Sequence, residues 1–245
     1  MKRVLIILVS GIIFIPSFAQ NDAKEKALAA LKKLSDKYKS SPYLSFDMTY
    51  RYADNDRPGK YLDSLKGSFM LNEEEYIYDL DNTEMINTKN YSITLFKEDK
   101  IMYLKKTSGE VPAANPVLML DSFFQHNRNM ECAISDADGD EKITLMFQPG
   151  LSYRKMEYYI NRKTGYIEKA ICVVDAKQMY DPAVQNNVHP VATESIIEVF
   201  FGHYQTGQFG KDAFDTSKYF KKEGDEYVAV APYNAYKIFL GTPNL

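Results

Sequence analysis

Apolar residues near the start of the chain recur at helical spacing, and the spacing then changes to strict alternation. The helical face consists of Ala27, Leu28, Leu31, Leu34 and Tyr38. Residues three and four apart share one side of an α-helix, so this pattern predicts an amphipathic helix over residues 24–39. Pro42 cannot continue a helix and marks its end. From Leu44 to Tyr52 every second residue is apolar, which predicts a half-buried strand.

Alternating runs of this kind continue to residue 240 and are separated by short, turn-forming segments. They predict ten or eleven strands, and the short connections favour antiparallel pairing. A second, short helix is predicted over residues 117–126. The expected fold is therefore mainly β with helices (α+β). It would be an incomplete antiparallel barrel, or a strongly curved sheet, with helices covering one opening.

Residues 1–19 have the three parts of a cleavable signal peptide. Lys2 and Arg3 give a positive start, residues 4–14 are mostly apolar, and Ser17 and Ala19 place small residues before a cut after Ala19. The apolar run is too short for a bilayer core of ~30 Å, which needs ~20 apolar residues. We expect residues 20–245 to form a single soluble domain in the periplasm, with secretion as the second choice, and not an integral membrane protein.

Acidic and basic residues nearly balance along the chain, with 33 Asp and Glu against 30 Lys and Arg. A nucleic-acid partner needs clustered Lys and Arg to neutralise its phosphates, so none is expected. Cys132 and Cys172 are the only cysteines of the sequence. They can pair in an oxidising compartment or remain small buried thiols, and the sequence leaves both alternatives open.

No residue pattern of the sequence predicts catalysis or metal binding. His126, His189 and His203 are not spaced as metal ligands, and no nucleophile elbow, phosphate loop or dinucleotide motif occurs. Counted from Asp136, a calcium loop needs glycine at its sixth position and glutamate at its twelfth, but these positions hold Glu141 and Phe147. The acidic run from Asp136 to Asp140 therefore predicts a hairpin turn. We expect no catalytic residue, metal or cofactor; a hydrolase would have to use ordinary carboxylates.

Aromatic residues stand out in the composition, with 19 Tyr and 14 Phe but no Trp, and several fall on one strand face. That face would carry Phe46, Met48, Tyr50, Phe69, Tyr76 and Tyr78. Tyr and Met suit a surface that is apolar yet adaptable, whereas a packed core usually prefers Leu, Ile and Val. Two interpretations follow: these side chains fill a core, or they line a cavity for acyl chains.

Several segments, spread over nearly the whole mature chain, together carry a family resemblance. They are Leu34-Ser35-Asp36-Lys37-Tyr38, Leu44-Ser45-Phe46-Asp47-Met48-Thr49-Tyr50, Ile143-Thr144-Leu145-Met146-Phe147-Gln148-Pro149, Tyr158-Tyr159-Ile160-Asn161-Arg162-Lys163-Thr164-Gly165-Tyr166-Ile167 and Phe214-Asp215-Thr216-Ser217-Lys218-Tyr219. In this order they are similar to the opening helix and first strand, a strand ending in a proline turn, the next hairpin and a late strand of the LolA-like periplasmic outer-membrane lipoprotein carriers.

The chain departs from this family's pattern at three points. The usual Arg-Pro pair after the second strand is replaced by Leu71-Asn72-Glu73-Glu74-Glu75-Tyr76. The tryptophan that follows an Asp-Gly-Lys turn in the family is missing, and Phe220 stands where a proline is expected. The resemblance therefore implies the fold more directly than it implies the cargo.

The resemblance implies a non-enzymatic carrier that shelters lipid or lipoprotein acyl chains during transfer toward the outer membrane. Membrane-bound proteins would serve as donor and acceptor, and an opening lid would allow release. The cavity lining would be Phe46, Met48, Tyr50, Phe69, Leu71, Tyr76, Tyr78, Leu145, Phe147 and Tyr158. The lid would use Leu28, Leu31, Leu34, Leu120, Phe123 and Phe124 on the two helices. The alternative is a non-enzymatic sensor or interaction module of the same fold, which binds a protein or peptide on its concave face.

Overall fold

The computed structural model describes residues 18–107, 130–148, 150–178 and 193–241. Over these ranges the chain forms one α-helix, α1 (Phe18–Lys39), three short 3-10 helices (Ala176–Gln178, Lys211–Phe214 and Thr216–Lys218) and fourteen strands. The strands are β1 (Tyr43–Asp54), β2 (Tyr61–Asn72), β3 (Glu75–Leu80), β4 (Thr83–Asn87), β5 (Tyr91–Phe96), β6 (Ile101–Lys106), β7 (Glu131–Ala137), β8 (Asp140–Met146), β9 (Tyr153–Ile160), β10 (Ile167–Asp175), β11 (Glu194–Thr206), β12 (Phe220–Glu223), β13 (Glu226–Ala229) and β14 (Lys237–Leu240). The helix predicted over residues 117–126 lies outside the described residues.

α1 follows the predicted apolar stripe with one exception. Ala27, Leu31, Leu34 and Tyr38 are each at most 4% exposed, whereas Leu28 is 38% exposed. Successive residues are separated by about 100° around a helix, so Leu28 lies at the edge of the stripe and not within it. The expectation that Leu28 packs with the other apolar residues of the helix is therefore wrong. The predicted cut after Ala19 falls inside α1 and stays a prediction.

Twelve of the strands form one long, strongly curved sheet that is not closed, as the alternation predicts. Strands β1–β6 are sequential antiparallel neighbours, and so are β7–β11. The two meanders join where β1 pairs with β11, for example at Tyr50 and Val199. We call the side of this sheet that contacts α1 the inner face, and the other side the outer face. Within the described ranges, no helix is both long and apolar enough to cross a membrane.

Of the three strands in the C-terminal part of the chain, β13 and β14 lie where the sequence predicts short strands, near residues 227–230 and 235–240, whereas β12 was not predicted. β12 pairs with β13 in a separate hairpin, and β14 pairs in parallel with β6, so that Lys237 lies opposite Ile101. Phe220 of β12 is only 6% exposed because its ring packs edge-on against Tyr91, 5.2 Å away, on the outer face. The outer face of β4–β6 is therefore buried as well. The expected count of ten or eleven strands was too low, and the pairing is not wholly antiparallel.

Candidate functional site on the inner face

The inner face carries one continuous row of side chains across seven adjacent strands. In register, the row runs Phe46, Phe69, Tyr78, Met85, Thr94, Tyr103 and Phe239. Directly opposed residues on neighbouring strands point to the same face, so these seven side chains lie side by side. Six strand spacings of about 4.8 Å give the row a length of roughly 29 Å. We call it the inner row.

Along the inner row, exposure is lowest next to α1 and highest at Tyr103. Phe46 and Phe69 are 3% and 1% exposed, respectively, and belong to the buried cluster under the helix. The row becomes half-buried at Tyr78 and reaches 44% exposure at Tyr103, whose ring stacks on Phe239 at 5.4 Å. One end of the row is thus packed core, while the other end presents apolar surface.

The structure brings all ten predicted lining residues into one apolar cluster at the inner face. Seven of them are buried: Phe46, Met48, Phe69, Leu71, Tyr76, Leu145 and Phe147. The remaining three are half-buried and pack against that cluster: Tyr50, Tyr78 and Tyr158. The residues thus share a location, and their role as a lipid-binding lining stays a prediction.

The predicted lid residues divide into three groups. Leu31 and Leu34 of α1 are 2% exposed and pack into the cluster on the inner face. Leu28 lies outside that contact, as its exposure shows. The third group, Leu120, Phe123 and Phe124, lies outside the described residues. α1 therefore covers part of the inner face, on the side of β7 and β8.

Phenol groups on the inner face have weak partners and remain neutral at ordinary pH. The hydroxyl oxygens of Tyr50 and Tyr78 are 3.4 Å apart, and the Tyr158 hydroxyl lies 3.5 Å from the Met156 sulfur, a weak acceptor. Burial raises the pKa of Tyr50, Tyr78 and Tyr158 above the usual value because it disfavours the charged phenolate. The face therefore combines apolar rings with uncharged polar tips, which suits contact with hydrocarbon.

A cluster of three tyrosines anchors the C-terminal end of α1 to the sheet. The Tyr204 hydroxyl donates to the Ile167 carbonyl at 2.7 Å, and the Ile167 N–H donates to the Tyr38 hydroxyl at 3.3 Å. The Tyr38 and Tyr204 hydroxyl oxygens are 2.9 Å apart, so Tyr38 donates to Tyr204. The ring of Tyr166 stacks on that of Tyr204 at 4.5 Å. These contacts hold the C-terminal end of α1 against the inner face.

Because of this cluster, we expect the free energy of unfolding to fall in alkaline solution. Burial raises the pKa of Tyr38 to about 12 in the folded protein, against 10.0 in the unfolded chain. The folded state therefore holds a proton that the unfolded state has released between pH 10 and 12, so stability is full below pH 10 and falls as the pH rises. We expect Tyr38 to account for a loss of ~3 kcal/mol in the free energy of unfolding between pH 10 and pH 12. Urea unfolding at a series of pH values measures this loss. The Tyr38→Phe variant should show a shallower decline; identical slopes would contradict the assignment.

The sequence pattern did not predict the four residues of the inner row furthest from Phe46, namely Met85, Thr94, Tyr103 and Phe239. In β6, for example, Tyr103 stands between Met102 and Leu104, both of which are fully buried on the outer face. Alternation identifies an inner face only when the other face is polar. The C-terminal hairpin covers the outer face of these strands, so both of their faces carry apolar side chains. The alternation of apolar and polar residues therefore cannot tell the inner face from the outer face.

The two cysteines are free thiols on the inner face. Cys132 of β7 lies opposite Leu145, and Cys172 of β10 lies opposite Met156, so two strands separate them. Three strand spacings give ~14 Å between their Cα atoms, about twice the ~7 Å that a disulfide tolerates. Of the two alternatives that the sequence left open, the structure has the free thiols, and both are half-buried.

The histidines and acidic residues were examined as possible metal ligands in the part of the chain that the structure describes. There, no group of three His, Cys, Asp or Glu side chains could hold a metal ion. His203 is exposed and its Nδ1 lies 2.8 Å from an Asp47 carboxylate oxygen, whereas His126 and His189 fall outside the described residues. The acidic run forms the predicted turn, since Asp138 and Gly139 have positive φ angles of 51° and 93°.

Comparisons with known proteins find likenesses in structure only. No family model matches the chain, and no curated protein sequence matches it. An uncharacterized conserved protein from Thermus thermophilus is 7% identical, with 88% of this chain and 99% of that chain covered at a TM-score of 0.48. A LolA superfamily protein from Nitrosomonas europaea is 10% identical, with 78% of this chain and 98% of that chain covered at a TM-score of 0.34.

A third solved structure is the MucA/MucB complex of Pseudomonas aeruginosa, 15% identical, with 84% of this chain and 63% of that chain covered at a TM-score of 0.37. Because these TM-scores lie below 0.5, the function of this chain is inferred from its own residues. The LolA superfamily protein among these structures bears the name of the family that the sequence resembles, and at 10% identity the likeness is one of fold.

Proposed function

We propose that this protein is a non-enzymatic carrier that holds a lipid acyl chain along the inner row. The observation that carries the proposal is the row itself, which runs unbroken from the buried Phe69 to the exposed Tyr103. An acyl chain needs a long apolar surface and few hydrogen bonds. Each methylene removed from water contributes about 0.8 kcal/mol, so a chain of ordinary length binds without a specific polar contact.

The accessible part of the inner row has the length of one acyl chain. From Tyr78 to Phe239 there are four strand spacings, or roughly 19 Å. Each leaflet of a bilayer core of ~30 Å contributes about half of that thickness, so an extended acyl chain spans ~15 Å. The neutral phenols of Tyr50 and Tyr78 at one end leave no charge to be buried under hydrocarbon.

We propose that this activity takes place in the periplasm, because residues 1–19 have the three parts of a cleavable signal peptide. There the carrier would move lipids or lipoproteins between membrane-bound donor and acceptor proteins and toward the outer membrane. α1 would act as the lid, since its apolar stripe already covers one end of the inner cluster. Transfer requires release, so a helix that can move away suits the task better than a closed cavity.

A charge placed in the inner row tests this proposal. Thr94→Asp puts a carboxylate at the centre of the accessible part, where hydrocarbon contact would remove its water. We expect the neutral dye N-phenyl-1-naphthylamine to bind this variant about tenfold more weakly than the unmodified protein in a fluorescence titration. Fatty acid should compete with the dye, and native mass spectrometry should detect the lipid adduct.

Thr49→Asp is the matched control. Thr49 is also half-buried in mid-strand, but it lies on the outer face of β1, where Lys66 is directly opposite. Its dye affinity should stay within about twofold, and both variants should keep their thermal unfolding midpoint. If the unmodified protein takes up neither dye nor lipid, the carrier function is wrong. Recovery of a protein partner without lipid would favour an interaction module.

A further inference from the structure

A pocket of about 480 Å³ lies between α1 and the turn that joins β9 to β10. It is separate from the inner row and shares no residue with it. Ligand pockets in proteins commonly measure roughly 300–1,000 Å³, so this one can hold a small molecule or a lipid headgroup. Its floor includes Leu34 and Ile160, which are 2% and 6% exposed and belong to the buried cluster.

Four cationic side chains line this pocket against one carboxylate. Lys33 and Lys37 stand one turn apart on α1 and therefore share a face, while Arg162 and Lys163 come from the turn. Glu141 of β8 is the acidic residue of the lining. The whole sequence carries a formal net charge of −3, so this local excess of positive charge is not a property of the chain at large.

Most of this positive charge is available to a ligand. In the part of the chain that the structure describes, Lys33, Lys37 and Lys163 form no ion pair. Arg162 pairs with Asp136, but both side chains are more than half exposed. An exposed pair of this kind contributes little, so the guanidinium can turn to a stronger acceptor.

Lys37 is held in place before any ligand arrives. Its Nζ lies 4.7 Å from the centre of the Tyr166 ring. Gly165, with a φ of 74°, presents no side chain toward it, and a Cβ there would lie 3.7 Å from the Lys37 Cγ. A lysine whose stem already rests on a surface loses less rotamer freedom on binding. The buried apolar floor also strengthens the attraction by excluding water on one side.

We propose that this pocket binds an anion of the phosphate class, either inorganic phosphate or the phosphate ester of a lipid headgroup. Phosphate offers several acceptor oxygens, which matches three lysine ammonium groups and one arginine converging from two elements. The Arg162 fork can engage two of those oxygens, and the lysines neutralise the remaining charge. The site does not depend on acyl-chain binding along the inner row.

The test compares two double variants with the same change of charge. Lys33→Gln/Lys163→Gln removes two cations of the pocket, whereas Lys60→Gln/Lys89→Gln removes two exposed cations from turns elsewhere. Titration calorimetry with inorganic phosphate at ~150 mM salt should give at least a tenfold loss of affinity in the first variant only. Amide NMR shifts on adding phosphate should cluster around Thr164 and Gly165.

Vesicles distinguish the two sources of phosphate. If phosphatidylglycerol vesicles bind the unmodified protein, phosphatidylcholine vesicles do not, and the pocket variant loses this binding, the anion belongs to a lipid headgroup. Binding of inorganic phosphate without vesicle binding assigns the pocket to a free phosphate-class anion. The proposal is overturned if phosphate does not bind, or if both double variants lose affinity equally. Thermal unfolding midpoints within a few degrees of the unmodified protein exclude misfolding.

Discussion

Replacing Phe69 by alanine is expected to lower the free energy of unfolding by about 3–5 kcal/mol. Phe69 is 1% exposed, and its ring centre lies 5.2 Å from that of Phe46 and 6.0 Å from that of Tyr76. Truncation removes the apolar contacts of the ring and also leaves a cavity. The neighbouring strands cannot collapse into it, since both are held by the hydrogen bonds of the sheet. Urea unfolding followed by circular dichroism measures the loss.

Phe200→Ala makes the same chemical change on the outer face of β11. The Phe200 ring is half-buried, and two charged groups lie over it. The Arg51 Cζ is 4.8 Å and the Lys169 Nζ is 5.1 Å from the ring centre. We expect this variant to lose only about 1 kcal/mol. Equal losses in the two variants would mean that the cluster on the inner face is not the main core of the protein.

Gly67→Ala is expected to lower the free energy of unfolding by about 3 kcal/mol, although it adds only one methyl group. A Cβ at Gly67 would lie 2.4 Å from the Asp79 carbonyl oxygen and 3.0 Å from the Leu80 Cδ1. The carbonyl belongs to β3, which pairs with β2 at this point, so it cannot move without breaking that pairing. The shift would also separate Phe69 from Tyr78 in the inner row.

Gly202→Ala provides the comparison within a strand of the same sheet. No atom lies within 4 Å of a Cβ built at Gly202, and its φ lies outside the left-handed range. Alanine restricts the unfolded chain more than glycine does, so stability should stay unchanged or rise by up to about 1 kcal/mol. A comparable loss in both variants would show that backbone freedom, and not the contact with Asp79, explains the glycine at position 67.

The half of the inner face next to α1 could be predicted from the sequence because its strands are polar on the other side. In β1, Phe46 and Met48 alternate with Asp47 and Thr49, so one face is unambiguous. The helix shows the limit of such patterns: Leu28 fits helical spacing as well as Leu31 does. Only the contact with the sheet decides which of the two is covered.

Pairing between distant parts of the chain could not be predicted. The parallel contact of β14 with β6 joins residues far apart in sequence, and no local pattern encodes it. Phe220 is followed by Lys221, Lys222 and Glu223, so β12 has no apolar alternation and resembles a turn. The basic pocket was missed for a similar reason, because its cations come from a helix and a turn that meet only in the fold.

The junction of β1 with β11 has a consequence for how the chain folds. Strands β1–β6 and β7–β11 each pair with their sequence neighbours, so most contacts within each half form after a short loop closes; the longest connection, between Asp175 and Glu194, has 18 residues. Tyr50 and Val199, by contrast, are 149 positions apart and meet at the one seam between the halves. Among strands β1–β11, the largest loss of chain entropy therefore falls on one step, the pairing of β1 with β11. Contacts across such long separations slow folding, which makes this seam the natural place for the kinetic barrier.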